Sequence, residues 1–143
     1  MAERGSQTEA ITHLGIIVDD LKSAAAEWEE RYGMKVVDEL DVEVEGVRSL
    51  FLSPGYKRDE GFCIELVEPK DKSDMGNAVA KRLADSGEGV FHIALRMDDA
   101  MAAEPRLREL GATVYAAPSA GLGEPGRTLV HPKSANGVLL ELF

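Results

Sequence analysis

Four residues of this chain combine the type and the spacing that chemistry requires: His13, Glu65, His92 and Glu141. The tract His13-Leu-Gly-Ile-Ile-Val-Asp19-Asp20 returns 79 residues on (13 to 92) as His92-Ile-Ala-Leu-Arg-Met-Asp98-Asp99. The acids recur with it. Glu65, in Cys63-Ile-Glu65-Leu-Val67, follows its histidine by 52 residues (13 to 65). Glu141, in Val138-Leu-Leu-Glu141-Leu-Phe143, follows the second histidine by 49 (92 to 141). A lone His or Glu in a strand is most simply a packed or solvated residue. Equivalent placement in two copies favours a shared metal site instead. Two neutral imidazoles and two carboxylates balance a divalent cation. An octahedral ion so held keeps two positions for a substrate, which suits Mn, Fe, Co, Ni or Zn. Four closed tetrahedral ligands would make a zinc site structural.

The elements that must position these residues repeat as well. Ile11 to Val18 reads as a strand, stopped by Asp19-Asp20, with Asp20 placed to cap a helix from Leu21 to Tyr32. Leu21, Ala24, Ala25, Trp28 and Tyr32 have helical spacing, and Gly33 suits the left-handed residue after a helix. Strands are expected over Met34 to Val44, Val47 to Leu52 and Phe62 to Val67, where Pro69 prevents continuation. A connector, 69–89, holds a helix from about Asn77 to Asp85. The order returns as strand Val90 to Met97, helix Ala100 to Leu110, and strands Thr113 to Ala116, Arg127 to Val130 and Val138 to Phe143. Both tracts read β-α-β-β-β. Alternation puts Ile64 and Leu66 on one face, as it does Leu140 and Leu142, for the helices to cover. Glu65 and Glu141 then lie on the opposite, concave face with His13 and His92. The expected fold is α+β: paired βαβββ modules, 10–68 and 90–143, forming a cupped mixed sheet around a metal site in one domain, 10–143.

Composition bounds the partners. The 143 residues suffice for one ordinary core, and 44% hydrophobic with 29% charged residues is a globular balance. No apolar run suits a membrane span, and the N-terminus shows no signal-peptide pattern. Met1 to Glu9 reads as a loose tail. A net charge of −10 argues against nucleic acid and anionic membranes. The single cysteine, Cys63, fits a reducing cytoplasm. An anionic substrate needs local cations against this background. Arg48, Arg127 and Lys133 are the candidates, although alternation favours an outward Arg48. Ser49 and Ser134 complete the expected substrate-binding set.

These motifs resemble the vicinal oxygen chelate superfamily over essentially all of Ala10 to Phe143. Within it they look most like the methylmalonyl-CoA epimerase family. The similar segments are His13-Leu-Gly-Ile with Asp20-Leu21, Ile64-Glu65-Leu-Val-Glu-Pro69, Gly89-Val-Phe-His92-Ile-Ala, and His131-Pro-Lys-Ser134 running into Gly137-Val-Leu-Leu-Glu141-Leu. The chain departs from that pattern at three places. Glu65 stands where the epimerases often have Gln, and two glutamates are the usual glyoxalase I set. Ser49 stands where well-known bacterial epimerases have a second catalytic Glu. Glu27-Trp-Glu-Glu-Arg-Tyr-Gly33 replaces the aromatic pattern common after the first helix.

The resemblance implies a metal-dependent epimerase acting on a 2-substituted malonyl-CoA, with a homodimer as a common assembly. Glu141 is the expected base for α-proton abstraction. Glu65 is the expected group on the other face, ahead of Glu43 and Glu45. A glyoxalase I-type isomerase is the alternative enzyme, and a protein that sequesters a small toxic molecule is the alternative outside catalysis. Other features take simpler readings. Cys63 is a buried structural thiol, and His131 belongs to a turn rather than the ligand set. Gly121 to Gly126 is a rim over the cleft, not a phosphate loop.

Overall fold

The computed structural model describes residues 6–118 and 126–143. Its elements run β1 (Thr8–Ile17), α1 (Leu21–Tyr32), β2 (Lys35–Val42), β3 (Val47–Ser53), β4 (Cys63–Pro69), α2 (Ala78–Ser86), β5 (Gly89–Met97), α3 (Ala100–Glu109), β6 (Val114–Pro118), β7 (Gly126–Val130) and β8 (Leu139–Leu142). Two β-α-β-β-β modules flank a connector helix, as the repeat requires. The strands form a mixed eight-stranded sheet in the order β2-β3-β4-β1-β5-β8-β7-β6. The glycine-rich stretch between Pro118 and Gly126, expected to be a rim, lies outside the described residues.

The chain divides into two compact units. One is His13–Phe91; the other joins the segment through Thr12 to His92–Phe143. In the first, β1 pairs parallel with β4, and β3 pairs antiparallel with both β4 and β2. In the second, β5 pairs parallel with β8, and β7 pairs antiparallel with both β8 and β6. Closing each module on a parallel partner brings its last strand beside its first. That is the step that sets an acid beside a histidine.

Each unit packs its helix on the face that alternation assigns. Leu66 and Leu52 are fully buried with Leu21 and Ala25 of α1, and Ile64, Leu50 and Trp28 pack around them. Leu142, Val130 and Val114 bury against Ala103 of α3, with Leu140 and Leu107 beside them. Local capping is as the residues suggest. The Asp20 side chain accepts from Ser23 N–H, Asn77 from Val79 and Ala80 N–H, and Asp99 from Ala102 N–H. Gly33 takes the left-handed conformation, φ 69°, that closes α1.

Several element boundaries differ from expectation by a residue or more, and three of the differences bear on the site's frame. β1 begins at Thr8, two residues inside the expected tail, because that tail has partners: Gln7 C=O accepts from Asp98 N–H, and Glu9 lies 3.5 Å from Arg96. β2 stops at Val42, where Glu43–Glu45 tightens into a 3-10 turn closed by Gly46 at φ 61°. β4 extends to Pro69 itself, since a strand's last residue loses only one ladder donor.

Candidate functional site

In the first unit, register fixes which side chains share a face. Phe51 on β3 lies opposite Glu65 on β4, and Ser49 lies opposite Val67. His13 on β1 is level with Cys63. Val47, Ser49, Phe51, Cys63, Glu65 and His13 therefore line the face away from α1, and all are buried. His13 Nε2 stands 3.4 Å from Glu65 Oε1. This exceeds the usual N–H···O range of about 2.7–3.2 Å. Two buried donors at that spacing are placed to share a third atom, which is the observation that fits a cation. The Phe51 ring meets the His13 ring edge-on, with centroids 5.1 Å apart, and so restrains the imidazole.

The second unit repeats the arrangement with one difference. Ala94 on β5 is level with Glu141 on β8, so His92 and Glu141 share a face, and both are buried. Here the acid has a built-in cation. Arg127 Nη1 donates to Glu141 Oε2 at 2.9 Å, and Arg127 Nε donates to the Pro118 carbonyl at 2.8 Å. A buried carboxylate is tolerable only when compensated in this way or by a metal. One oxygen spent on arginine does not exhaust the roughly four lone-pair sites of a carboxylate.

The expected substrate-binding residues separate. Ser49 lies on the Glu65 face. Arg48 alternates with it onto the opposite face and reaches Glu68, at 3.7 Å. Arg127 is buried in the ion pair with Glu141 rather than presented at a surface. Lys133 is exposed in the 3-10 turn Pro132–Ser134. Its backbone N–H donates to His131 Nδ1, and Ser134 Oγ accepts from Thr113 N–H at 2.9 Å. Those bonds hold the turn that precedes β8.

Two residues beside the His13–Glu65 pair escape a reading of the sequence. Phe51 is the aromatic wall of His13, and the Arg58 guanidinium lies 5.3 Å over its ring while pairing with Asp38 at 2.7 Å. Arg58 sits in the 3-10 turn Arg58–Glu60, which the sequence pattern does not single out. Burial pushes the Cys63 thiol up from its ordinary pKa, with Arg58 opposing the shift. A thiol so placed is a packing group.

The chain is similar to known proteins. The family model of the glyoxalase/bleomycin resistance protein/dioxygenase superfamily matches residues 12–129. An ethylmalonyl-CoA/methylmalonyl-CoA epimerase from Cereibacter sphaeroides is 33% identical over 136 residues, which cover 92% of this chain and 95% of that protein. The crystal structure of methylmalonyl-CoA epimerase from Mycobacterium tuberculosis superposes with a TM-score of 0.81 at 30% identity, covering 99% of this chain and 91% of that one. A variant of Streptomyces coelicolor methylmalonyl-CoA epimerase in complex with 2-nitronate-propionyl-CoA gives 0.82 at 35% identity, covering 95% and 94%. With the family model spanning most of both modules, the chain belongs to the glyoxalase/bleomycin resistance protein/dioxygenase superfamily.

Proposed function

We propose that this protein is a metal-dependent epimerase of 2-alkylmalonyl-CoA thioesters, methylmalonyl-CoA among them. The observation that carries the proposal is the buried His13–Glu65 pair at 3.4 Å, matched by buried His92 and Glu141 in the second module. In this reading His13, Glu65, His92 and Glu141 hold one divalent ion, with Co, Mn, Ni and Zn as the candidates. When bound, the ion supplies Lewis acidity toward negative charge developing on a thioester oxygen.

The chain's own residues move the proton. Glu141, ionised, takes the α-proton from one face, and Glu65, protonated beforehand, gives its own proton to the other; the reverse direction exchanges the two roles, so the two acids must reach opposite sides of one carbon. Arg127 holds the Glu141 carboxylate in place through its Nη1–Oε2 bond. Phe51 restrains His13. The apolar residues around the pairs exclude water, which strengthens each of these interactions.

The proposal extends to a homodimer and a cytoplasmic location. The single buried cysteine, with no disulfide, accords with a reducing compartment. No helix among the described residues is long and apolar enough to cross a membrane. Sedimentation and fractionation test these two points.

Glu65 itself favours a second reading, a glyoxalase I-type isomerase, because that enzyme uses two glutamates. One assay separates the two. The protein, loaded with metal, is incubated in deuterated solvent with methylmalonyl-CoA, ethylmalonyl-CoA and the hemithioacetal of methylglyoxal and glutathione. Exchange of the α-proton of the malonyl thioesters supports the epimerase. Turnover of the hemithioacetal alone transfers the case to the isomerase.

A further inference from the structure

The two modules treat one position differently. On β7, Arg127 precedes by two residues Leu129, which lies opposite Glu141. On β3, Ser49 precedes by two residues Phe51, which lies opposite Glu65. Ser49 is therefore the counterpart of Arg127, the diagonal neighbour of a buried acid across an antiparallel pair. In the second module that neighbour is a cation bonded to its acid. In the first it is a hydroxyl that is 1% exposed, with no hydrogen-bond partner among the described residues.

The residues that flank that hydroxyl directly are apolar, and it makes no bond to the diagonal Glu65. Its cross-strand neighbours are Leu40 and Val67, and along β3 it stands between Val47 and Phe51 on the same face. A buried donor left unpaired costs free energy, and Val would suit a strand in this setting better. A hydroxyl kept there needs a partner from outside the chain.

We infer that Ser49 Oγ–H donates a hydrogen bond to an acceptor oxygen of the malonyl portion of the bound thioester, beside Glu65, and so fixes the orientation of the acyl group. This rests on the substrate class proposed above. It makes Ser49 a binding residue with no part in proton transfer, since an unassisted hydroxyl is no base at neutral pH. A neutral donor suits this place: it attracts an anionic substrate without competing with Glu65 for a cation.

The test compares the parent with Ser49→Ala in three measurements on the full chain. Without ligand, Ser49→Ala melts at or above the parent temperature, because the free protein loses no bond. Titration with 2-nitronate-propionyl-CoA as the probe shows binding about tenfold weaker in the variant, the size expected of one lost hydrogen bond to a charged group. Turnover of methylmalonyl-CoA shows a KM raised by about the same factor. A variant that melts several degrees lower assigns the hydroxyl to the fold and overturns the inference. Equal probe affinity in both proteins overturns it too, while leaving the epimerase reading intact. A parent that neither binds the probe nor exchanges a malonyl thioester removes the substrate class, and the role of Ser49 with it.

Discussion

Arg127 Nη1 lies 2.9 Å from Glu141 Oε2, and both side chains are almost wholly out of water. The pair is diagonal across β7 and β8, so the register of two strands holds it. Removing one partner strands a buried charge, at a cost of about 3–5 kcal/mol. Arg127→Met is expected to lose stability on this scale in chemical denaturation. Arg127→Met combined with Glu141→Gln recovers a substantial part, since the uncompensated carboxylate is gone. A single variant as stable as the parent would show that the pair is dispensable.

A cation bound by His13, Glu65, His92 and Glu141, as proposed, would stabilise the fold by mass action. At a free concentration about one hundred times Kd the gain is about 2.7 kcal/mol. For a chain of this length that corresponds to a melting shift on the order of 5–10 °C. Scanning calorimetry with and without metal measures it, and a chelator should reverse it. His92→Ala is expected to bind the ion at least about tenfold more weakly, by analogy with lost metal-site contacts. If it binds as tightly as the parent, the four-residue site is wrong.

Cys63 is a thiol that should not react. It is 1% exposed, and burial raises its pKa, so little thiolate is present at neutral pH. Modification by a disulfide reagent at pH 8 is expected to follow unfolding, with the native protein reacting at least about one hundredfold more slowly than free cysteine. Rapid labelling of the native chain contradicts this placement of the thiol.

The helix that covers the first module has a pH-dependent anchor. The backbone N–H of Ser23, then its side chain, hold the Asp20 carboxyl below its ordinary value of 3.8. A depressed carboxyl stabilises the fold above the unfolded pKa and loses that contribution as pH falls through the folded one. The parent should therefore melt above Asp20→Ala at pH 7, and the gap should close as the pH drops below 3.8. A gap independent of pH would assign the cap to geometry rather than charge.

The candidate site was legible where periodicity alone governs it. The His/Glu repeat and strand alternation place His13 with Glu65, and His92 with Glu141, on faces away from the helices, since Leu66 and Leu142 must go under α1 and α3. Arg127 was legible only as a charge. Whether it meets a substrate or an acid depends on the register of β7 against β8, which no local pattern encodes. Arg48 is the converse: one residue of alternation sends it to Glu68 and leaves Ser49 beside Glu65. Arg58 was invisible because it reaches Phe51 from a turn, through a contact that exists only in the folded chain.

Glu65 carries the sharpest test of the reaction. In the proposed epimerase it binds the cation and also serves one face of the α-carbon, while Glu141 serves the other. Glu65→Gln separates these duties. An amide oxygen can still coordinate, so cation affinity should fall only modestly, and calorimetric titration checks that first. An amide cannot accept the α-proton, so exchange from the face Glu65 serves should collapse by about 100-fold or more, the usual scale for a lost general base. The other face keeps Glu141. In deuterated solvent the variant should then exchange the α-proton of one methylmalonyl-CoA epimer and leave the other nearly inert, and epimerisation should fall with the slower face. Equal exchange from both epimers would show that Glu65 is a ligand and nothing more. The second proton would then have to come from Glu43 or Glu45, on the 3-10 turn after β2, or from water.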